Sequence, residues 1–303
     1  MHKKILLVGT VSNVAKTIEK ELKIVLKALS VFDSVQVFLV ESDSTDNTIK
    51  VLNELSNSYA NFNYTSLGIL KQLIPDRIDR IRYCRNVYVD YIRAIAPAKR
   101  PFYTVVADLD GINSKINYKS VDSCFHNQDW DVVISNQTGG YYDIYALRCK
   151  NWQESDCFID LEQNKANIPA PNYGKLNFYK RIRFLLYFDK ARYLAIYSKM
   201  RKIGVAEPWV EVQSGFGGLA IYKTSIFMNY NYTSNSGELN ESEHITIHQK
   251  VTDSGGKIFI NPAFINSKWN TYNINRYFLI RQIRRLFYNT GIVYKIYKRL
   301  KLI

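Results

Sequence analysis

The sequence predicts an α/β fold in which a mostly parallel central sheet is flanked by helices. Short apolar strands alternate with helical stretches along the chain, as they do in proteins built from βα units. The chain has 303 residues, of which 47% are hydrophobic, so it can bury one large core or two ordinary ones. Its 14 glycines and 7 prolines are below average usage, which excludes a collagen-like or low-complexity chain.

The predicted elements are clearest in the first half of the chain. There, short apolar runs predict buried strands, and apolar positions spaced three or four residues apart predict helices. The carboxyl ends of such strands form the ligand crevice of an α/β sheet. In chain order the elements are a strand at Ile5–Val8, a helix from about Val14 to Leu29, a strand at Val35–Val40, helices at Thr48–Leu55 and Ile78–Ile95, and a strand at Tyr103–Ala107.

A cluster of acids and hydroxyls follows the second predicted strand and spans Glu41 to Thr48. These side chains lie where a strand opens into a helix N-terminus, so they can cap that helix. They can also hydrogen-bond a ribose or the edge of a base. Capping is the stronger explanation when this cluster is taken by itself.

Two carboxylates, Asp108 and Asp110, directly follow the predicted strand Tyr103–Ala107. Alternate residues of an extended segment point the same way, so both can converge on one hard divalent cation while Leu109 packs inward. A metal ion that bridges two phosphates is the common use of that arrangement. Gly111 then permits a close backbone turn.

The helix at Ile78–Ile95 carries a third polar cluster. Arg82, Arg85 and Asn86 lie at i, i+3 and i+4, apart from the apolar stripe of the helix. The planar fork of arginine suits phosphate oxygens. A solvated basic face is the alternative, to which we assign the other arginines of this helix. We favour Arg85 with Asn86 as the functional pair.

In this order the motifs resemble the donor half of a GT-A glycosyltransferase, which binds a nucleotide-sugar. Segments farther along are similar to those of surface-polysaccharide glycosyltransferases, a group that includes the fungal capsule-associated mannosyltransferases. The resemblance spans roughly residues 5–266. It rests on Val8–Asn13, Glu41–Thr48, Arg85–Asn86, Asp108–Asp110, Tyr141–Arg148, Gly215–Tyr222, and Glu243–His244 with His248 before Gly256–Pro262.

The resemblance implies a single GT-A domain over residues 1–266, with a donor half at about 1–112 and an acceptor half at about 113–266. It implies that Asp108 and Asp110 hold Mn²⁺ or Mg²⁺ on the diphosphate, and that the acidic loop meets the nucleoside. The donor-binding residues expected are Gly9, Val11, Asn13, Glu41, Asp43, Ser44, Arg85, Asn86 and Asp108. The acceptor-binding residues expected are Tyr142, Asp143, Trp209, Gly217 and Gly218.

Catalytic roles are expected for Asp110 and for residues of a later segment. His244 and His248 lie four residues apart and share a face if their segment is helical. We expect His244 to complete the metal shell beside Asp108 and Asp110, and His248 to pack beneath the next strand. Glu243 is the expected general base if the reaction inverts, with Glu241 as the alternative.

The net charge of +14 is unevenly placed, because residues 254–303 carry ten Lys or Arg and no acid. Two basic amphipathic helices, broken at Asn289–Gly291, are predicted in a tail at 267–303. A second stretch, Lys175–Lys202, holds nine Lys or Arg and only Asp189 as an acid. These stretches favour an anionic membrane surface as a partner, against helices that simply pack on the domain. No nucleic-acid recognition motif occurs, so no nucleic-acid partner is expected.

The predicted location is cytoplasmic and peripheral, on the inner face of the membrane. The four cysteines form no CxxC pair, which favours a reducing compartment. The first apolar run is too short for a signal peptide, and no apolar stretch reaches the roughly 18 to 20 residues of a membrane span.

The predicted function is metal-dependent transfer of a sugar, with mannose as one candidate. The donor is a nucleotide-sugar, and the acceptor is a cell-surface or lipid-linked glycan, such as a precursor of capsule or lipopolysaccharide. One alternative is a nucleotidyltransferase, which would use the same metal and phosphate clamp. The other is a non-catalytic protein whose basic tail binds membrane or nucleic acid.

Overall fold

The computed structural model describes residues 4–127, 129–167, 178–234, 241–270, 272–277 and 279–281, with the backbone alone at 178–185. Its centre is an eight-stranded sheet of order β3-β2-β1-β4-β7-β5-β8-β6. The strands are β1 Lys4–Val11, β2 Ser34–Glu41, β3 Phe62–Ser66, β4 Tyr103–Ala107, β5 Val132–Gln137, β6 Val210–Val212, β7 Leu219–Lys223 and β8 Ile258–Ser267.

Eight α-helices connect or flank these strands in the described part of the chain. They are α1 Ile18–Ala28, α2 Thr48–Ser58, α3 Arg77–Ala94, α4 Tyr118–Asp122, α5 Cys157–Ala166, α6 Phe178–Ala195, α7 Ser225–Asn229 and α8 Glu243–Asp253. None of them combines the length and the apolar character that a membrane span requires.

The sheet is mostly parallel, as predicted. Strand β1 pairs in parallel with β2 and β4, β2 with β3, and β5 with β8. Strand β7 runs antiparallel between β4 and β5, and β6 is an antiparallel edge. Because β7 lies between β4 and β5, one sheet joins the predicted donor and acceptor halves.

Both faces of the sheet are buried, which explains the uninterrupted apolar sequence of β1. Leu6 and Val8 belong to one core, together with Tyr88 of α3. Ile5 and Leu7 point to the opposite core, which contains the apolar side of α1. Helices therefore cover both faces, and the predicted α/β class is confirmed.

Each element predicted in the first half is present, with ends shifted by a few residues. Strand β3 escaped prediction because Phe62 is its one fully buried residue, so its sequence has no apolar run. Residues 282–303, which hold most of the predicted tail helices, lie outside the described residues, and so does the break at Asn289–Gly291. The described part of the tail contains a short 3₁₀ turn at Asn273–Arg276, and residues 279–281 are helical.

Candidate active site

A cavity of about 630 Å³ opens at the carboxyl ends of β1, β2 and β4. Parallel strands end at one edge of a sheet, which is where α/β proteins bind ligands. Nine of the residues expected from sequence line it, and they come from both halves of the chain. They are Val11, Asp43, Arg85, Asp108, Asp110, Tyr142, Asp143, Glu243 and His244.

Asp108 and Asp110 enter this cavity from the end of β4. Leu109 between them is buried in the core, as the alternation of an extended segment predicts. The Asp108 side chain is 37% exposed. Desolvation within the cavity raises the pKa of Asp108 to about 8, while the nearby Arg85 guanidinium opposes that rise. The same cause raises the pKa of Asp110. A cation bound between the two carboxylates would oppose this rise, because a nearby positive charge favours the ionised form of each.

The turn after Asp110 is held by Glu21, a buried acid on α1 that the sequence analysis missed. Its carboxylate accepts hydrogen bonds from the backbone N–H groups of Gly111 and Asn113. Asn113 Nδ2 in turn donates to the carbonyl of Asp108 at 2.6 Å. Burial raises the pKa of Glu21 to about 7. The sequence contains one sign of this role, because Glu21 is an acid that falls on the apolar stripe of α1.

Arg85 is the buried cation of the site, with 3% of its side chain exposed. Its Nε donates to Glu243 Oε1 at 2.9 Å, and its Nη2 lies 3.6 Å from Asp108 Oδ1. The guanidinium also lies over the rings of Phe216 and Tyr232, 5.2 and 5.6 Å from their centroids. Arg85 thus links α3, the Asp108 carboxylate and the start of α8.

The residues present fit a metal ion held mainly by substrate phosphates. Mg²⁺ and similar ions often use one or two protein carboxylates together with phosphate oxygens, and Asp108 with Asp110 can supply them. The larger set expected from sequence, with His244 as a third ligand, does not form. In the described residues, no group of three or more His, Cys, Asp or Glu side chains is arranged to hold a metal.

The acidic loop after β2 both caps a helix and faces the cavity. Asp46 Oδ1 accepts from the backbone N–H of Thr48 at 3.0 Å, so part of the cluster caps α2. Asp43 lines the cavity, and its Oδ2 lies 3.3 Å from Arg80 Nε. The sequence predicts a solvated position for Arg80, whereas Arg80 lines the cavity together with Arg77.

Three expected donor residues, Asn13, Glu41 and Ser44, hold this loop and do not line the cavity. Asn13 Oδ1 accepts from the backbone N–H of Thr45 at 2.8 Å, and Asn13 N–H donates to Ser44 Oγ at 3.0 Å. Glu41 is fully buried. Its carboxylate accepts from the backbone N–H of Ser44 and from the hydroxyl of Ser66. These contacts tie the β1–α1 and β2–α2 loops together.

Gly9, Asn86 and Trp209 also lie away from the cavity. A Cβ at Gly9 would meet the carbonyl oxygen of Ala107 at 2.5 Å, so this glycine permits close packing of β1. Asn86 uses both ends of its amide on the backbone of Tyr232. Trp209 packs against an aromatic ring of β8. Each of these residues therefore contributes to packing rather than to the cavity wall.

Two tyrosines form an aromatic surface on one wall of the cavity. The rings of Tyr142 and Tyr272 stack at 5.1 Å with an interplanar angle of 16°, and both line the cavity. Tyr272 belongs to the segment after β8, where the sequence predicted only a basic tail. Asp143 lies beside them, and its Oδ2 accepts from Gly217 N–H at 3.0 Å. Burial raises the pKa of Asp143 to about 6.

Gly217 and Gly218, expected to bind the acceptor, do not line the cavity but contact residues that do, because Gly217 N–H donates to Asp143 and a Cβ at Gly218 would meet the Tyr142 hydroxyl at 2.8 Å. Both have positive φ angles, +68° and +81°, which favour glycine. The carbonyl of Gly217 accepts from Gln137 Nε2 at 3.0 Å and from Asn266 Nδ2 at 2.9 Å. Asn266 also donates to Asn113 Oδ1 at 3.0 Å. A fully buried amide network thus connects the turn after Asp110 with the glycine turn.

A scan against protein-family models and a search of curated proteins find no match for this chain. Among solved structures, the chain is similar to the mannosyltransferase PcManGT from Pyrobaculum calidifontis in complex with GDP-Man and Mn²⁺. The TM-score is 0.49 at 12% identity, over 94% of this chain and 62% of that chain. The chain thus spans less than two thirds of that protein.

Two further structures are similar at comparable identity. TarS 1-349 from S. aureus, in complex with UDP-GlcNAc, gives a TM-score of 0.45 at 13% identity, over 94% of this chain and 67% of that chain. Glucosyl-3-phosphoglycerate synthase from Mycobacterium tuberculosis, in complex with UDP, gives 0.37 at 13% identity, over 88% of this chain and 69% of that chain. These are similarities of overall shape.

Proposed function

We propose that this protein is a metal-dependent glycosyltransferase that moves a sugar from a nucleotide-sugar to a hydroxyl of a glycan or lipid-linked glycan. One observation carries the proposal. Asp108 and Asp110 converge with the buried cation Arg85 in one cavity at the carboxyl ends of parallel strands. Carboxylates that can hold a divalent metal, next to a guanidinium, suit a diphosphate leaving group.

On the donor side, Asp108 and Asp110 would hold Mn²⁺ or Mg²⁺ against the diphosphate. When bound, the ion supplies positive charge that stabilises the departing diphosphate. Arg85 adds a fixed positive charge on the same wall, within 3.6 Å of Asp108. Asp43 and Arg80, at the end of β2 and the start of α3, border the part of the cavity that we assign to the nucleoside.

In the transfer, the bond between the anomeric carbon and a diphosphate oxygen breaks, and its electron pair stays on the diphosphate. The acceptor oxygen bonds to that carbon and gives its proton to a carboxylate of the chain, if the reaction inverts. Glu243 and Asp143 both line the cavity. We favour Asp143, because burial raises the pKa of its carboxyl to about 6, near the range that suits a general base. Glu243 is already engaged by Arg85.

On the acceptor side, Tyr142 and Tyr272 present stacked rings to the cavity. Sugar rings have apolar faces that pack on aromatic rings, while their hydroxyls need polar partners such as Asp143. This pairing supports a glycan acceptor. Mannose is the first donor sugar to test, and precursors of capsule or lipopolysaccharide are the first acceptors.

We also propose that the protein works at an anionic membrane, in contact through the outer face of α6. Leu186, Tyr187, Tyr193 and Leu194 lie at i, i+1, i+7 and i+8, and each is 38–44% exposed. Lys190 lies on the same face, and Asp189 is paired with Arg281. The outer face therefore combines exposed apolar side chains with a basic one, which suits the interface of an anionic bilayer.

Thermal unfolding with a panel of nucleoside diphosphates and nucleotide-sugars, with and without Mn²⁺, tests the proposal. Binding at a hundred times Kd stabilises by about 2.7 kcal/mol, which moves the midpoint visibly. We expect a Mn²⁺-dependent shift with one base family, absent in Asp110→Asn and retained in Asp90→Asn, whose side chain is 75% exposed. Donors that bind are then tested for sugar transfer by product analysis.

Two results would contradict the proposal. One is no shift of the unfolding midpoint with any nucleotide. The other is release of pyrophosphate instead of a nucleoside diphosphate, which would make the protein a nucleotidyltransferase.

A further inference from the structure

A buried chain of hydrogen bonds lies behind His244, on the side away from the cavity. Gly215 N lies 3.5 Å from His248 Nδ1. His248 Nε2 lies 2.9 Å from Tyr222 Oη, and Tyr222 Oη lies 3.4 Å from His244 Nδ1. Every residue that takes part in these hydrogen bonds is buried. Water therefore does not compete for these hydrogen bonds, and their directions are set by the donors and acceptors that take part in them.

The backbone N–H of Gly215 sets the direction of the first bond. An amide N–H can only donate, so His248 Nδ1 must accept with its lone pair. The hydroxyl of Ser214, 3.0 Å from the same nitrogen, can donate to it as well. Burial lowers the pKa of His248 to about 3, so its ring is neutral and carries one proton. That proton is therefore on Nε2.

The directions of the second and third hydrogen bonds follow from the position of that proton. His248 Nε2–H donates to Tyr222 Oη, so the tyrosine hydroxyl is free to donate its own proton onward. The acceptor in reach is His244 Nδ1. Burial and the Arg85 charge lower the pKa of His244, so this ring is neutral too. With Nδ1 acting as an acceptor, the single proton of His244 is on Nε2.

The Nε2 atom of His244 is buried and has no hydrogen-bond partner among the residues that the structure describes. Glu243 Oε1 lies 3.5 Å away but forms no hydrogen bond with this nitrogen, and it already accepts from Arg85 Nε. The ring is held by stacking on Phe216, with centroids 4.0 Å apart, and it lines the cavity. A buried N–H without an acceptor is costly, so a bound ligand that supplies an acceptor gains affinity.

We propose that His244 is a hydrogen-bond donor to the bound substrate and not a metal ligand. A metal-binding imidazole must offer a lone pair at the coordinating nitrogen, and the hydrogen bonds that begin at Gly215 leave Nε2 of His244 protonated, with Nδ1 engaged by Tyr222. The group it takes is an acceptor oxygen, either of the diphosphate or of the transferred sugar. The ligand rests on the proposed function, whereas the protonated nitrogen of His244 does not.

Nitrogen-15 NMR of the imidazole rings tests the protonation state in the full chain without any ligand. The chain has four histidines, so His244→Gln and His248→Gln assign the two buried ones by difference. We expect both to be neutral with the proton on Nε2. We expect His244 to keep that proton when Mg²⁺ and a nucleoside diphosphate are added. A proton on Nδ1 of His244, or its loss from Nε2 when the metal binds, would overturn the proposal.

A matched pair of variants tests the ligand contact. His244→Gln keeps an N–H near the position of Nε2, and His244→Met keeps much of the volume without a donor. We expect His244→Met to weaken nucleotide-sugar binding about tenfold and His244→Gln to weaken it less. Mn²⁺ affinity, measured by electron paramagnetic resonance with saturating nucleoside diphosphate, should stay within twofold in both. A metal ligand would instead lose Mn²⁺ affinity in both variants.

The two sources of the acceptor oxygen are separated by the ligand used. Weaker binding of both the nucleoside diphosphate and the nucleotide-sugar by His244→Met assigns the contact to the diphosphate. Weaker binding of the nucleotide-sugar alone assigns it to the sugar. Unchanged binding of both by a folded His244→Met would overturn the contact. If the parent binds no nucleotide, the proposed function fails while the NMR result still stands by itself.

Discussion

Arg85 Nε donates to Glu243 Oε1 at 2.9 Å, across 158 positions of sequence. Both side chains are buried, with 3% and 9% exposed. This ion pair joins α3 to the first residue of α8, and so it fixes His244 relative to Asp108. A buried pair of this kind contributes less net stability than its geometry suggests, because both charges lose their hydration. Removing one partner alone destabilises the fold far more than replacing the whole pair with apolar side chains, because the remaining charge is left buried and unpaired.

Replacing Arg85 with methionine should therefore destabilise the fold by about 3–5 kcal/mol, because Glu243 is left charged and buried. Urea unfolding measures the loss. The exposed pair Glu19–Lys23, with side chains 58% and 59% exposed, provides the control. Lys23→Met should leave the free energy of unfolding almost unchanged, because water and salt screen an exposed ion pair. Equal losses for the two variants would mean that the Arg85 pair is as well hydrated as a surface one.

The glycine turn at Gly217 should be sensitive to a single methyl group. Gly217 and Gly255 both have positive φ angles, +68° and +82°. A Cβ at Gly217 would meet the carbonyl oxygen of Ser135 at 2.8 Å, whereas a Cβ at Gly255 meets no atom of the described residues within 4 Å. Gly255→Ala should therefore lose about 1 kcal/mol from backbone conformation alone, and Gly217→Ala clearly more. Thermal unfolding compares them, and equal losses would show that the site relaxes freely.

Local patterns were enough to predict the first strands and the Asp108–Asp110 pair. Apolar runs identify β1, β2 and β4 because both faces of those strands are buried, and the pair follows directly from the end of β4. The antiparallel position of β7 could not be predicted this way. It depends on pairing with β4 and β5, which lie far from it in sequence.

The surroundings of the site escaped prediction for the same reason. Glu21 holds the turn at Asn113 across 92 positions, and a spacing pattern along α1 says nothing of that partner. Glu41 is of a residue type that often binds ligands, yet in the folded protein it is buried and accepts a hydrogen bond from Ser66. Tyr272 reaches the cavity only because β8 carries its segment back to the sheet edge. Such roles depend on tertiary contacts.

Glu21 should make the stability of the protein depend on pH. Its pKa is about 7 in the folded state because burial disfavours the carboxylate, against an ordinary value of 4.5. Between these values the folded state binds more protons than the unfolded state, so stability falls as pH rises from about 4.5 to 7. The fall should be on the order of 3 kcal/mol. In Glu21→Gln that part of the slope should disappear.

Chemical unfolding at a series of pH values measures this slope. Glu19→Gln, an exposed acid of the same helix, is the control and should leave the slope as it is in the parent. An identical slope in Glu21→Gln and the parent would show that Glu21 ionises normally in the folded protein.

The outer face of α6 should bind anionic vesicles. Replacing Tyr193 and Leu194 together with serine removes two exposed apolar side chains and leaves Lys190 in place. Because burial of apolar area adds to the attraction of basic residues for anionic lipid, the double variant should bind such vesicles several-fold more weakly. Cosedimentation with vesicles of mixed neutral and anionic phospholipid measures this. Leu73→Ser removes a side chain that is 80% exposed elsewhere, and it should bind like the parent. Vesicle binding that the double variant retains in full would assign the membrane contact to another surface, and an absence of binding by the parent would remove the membrane from the proposed function.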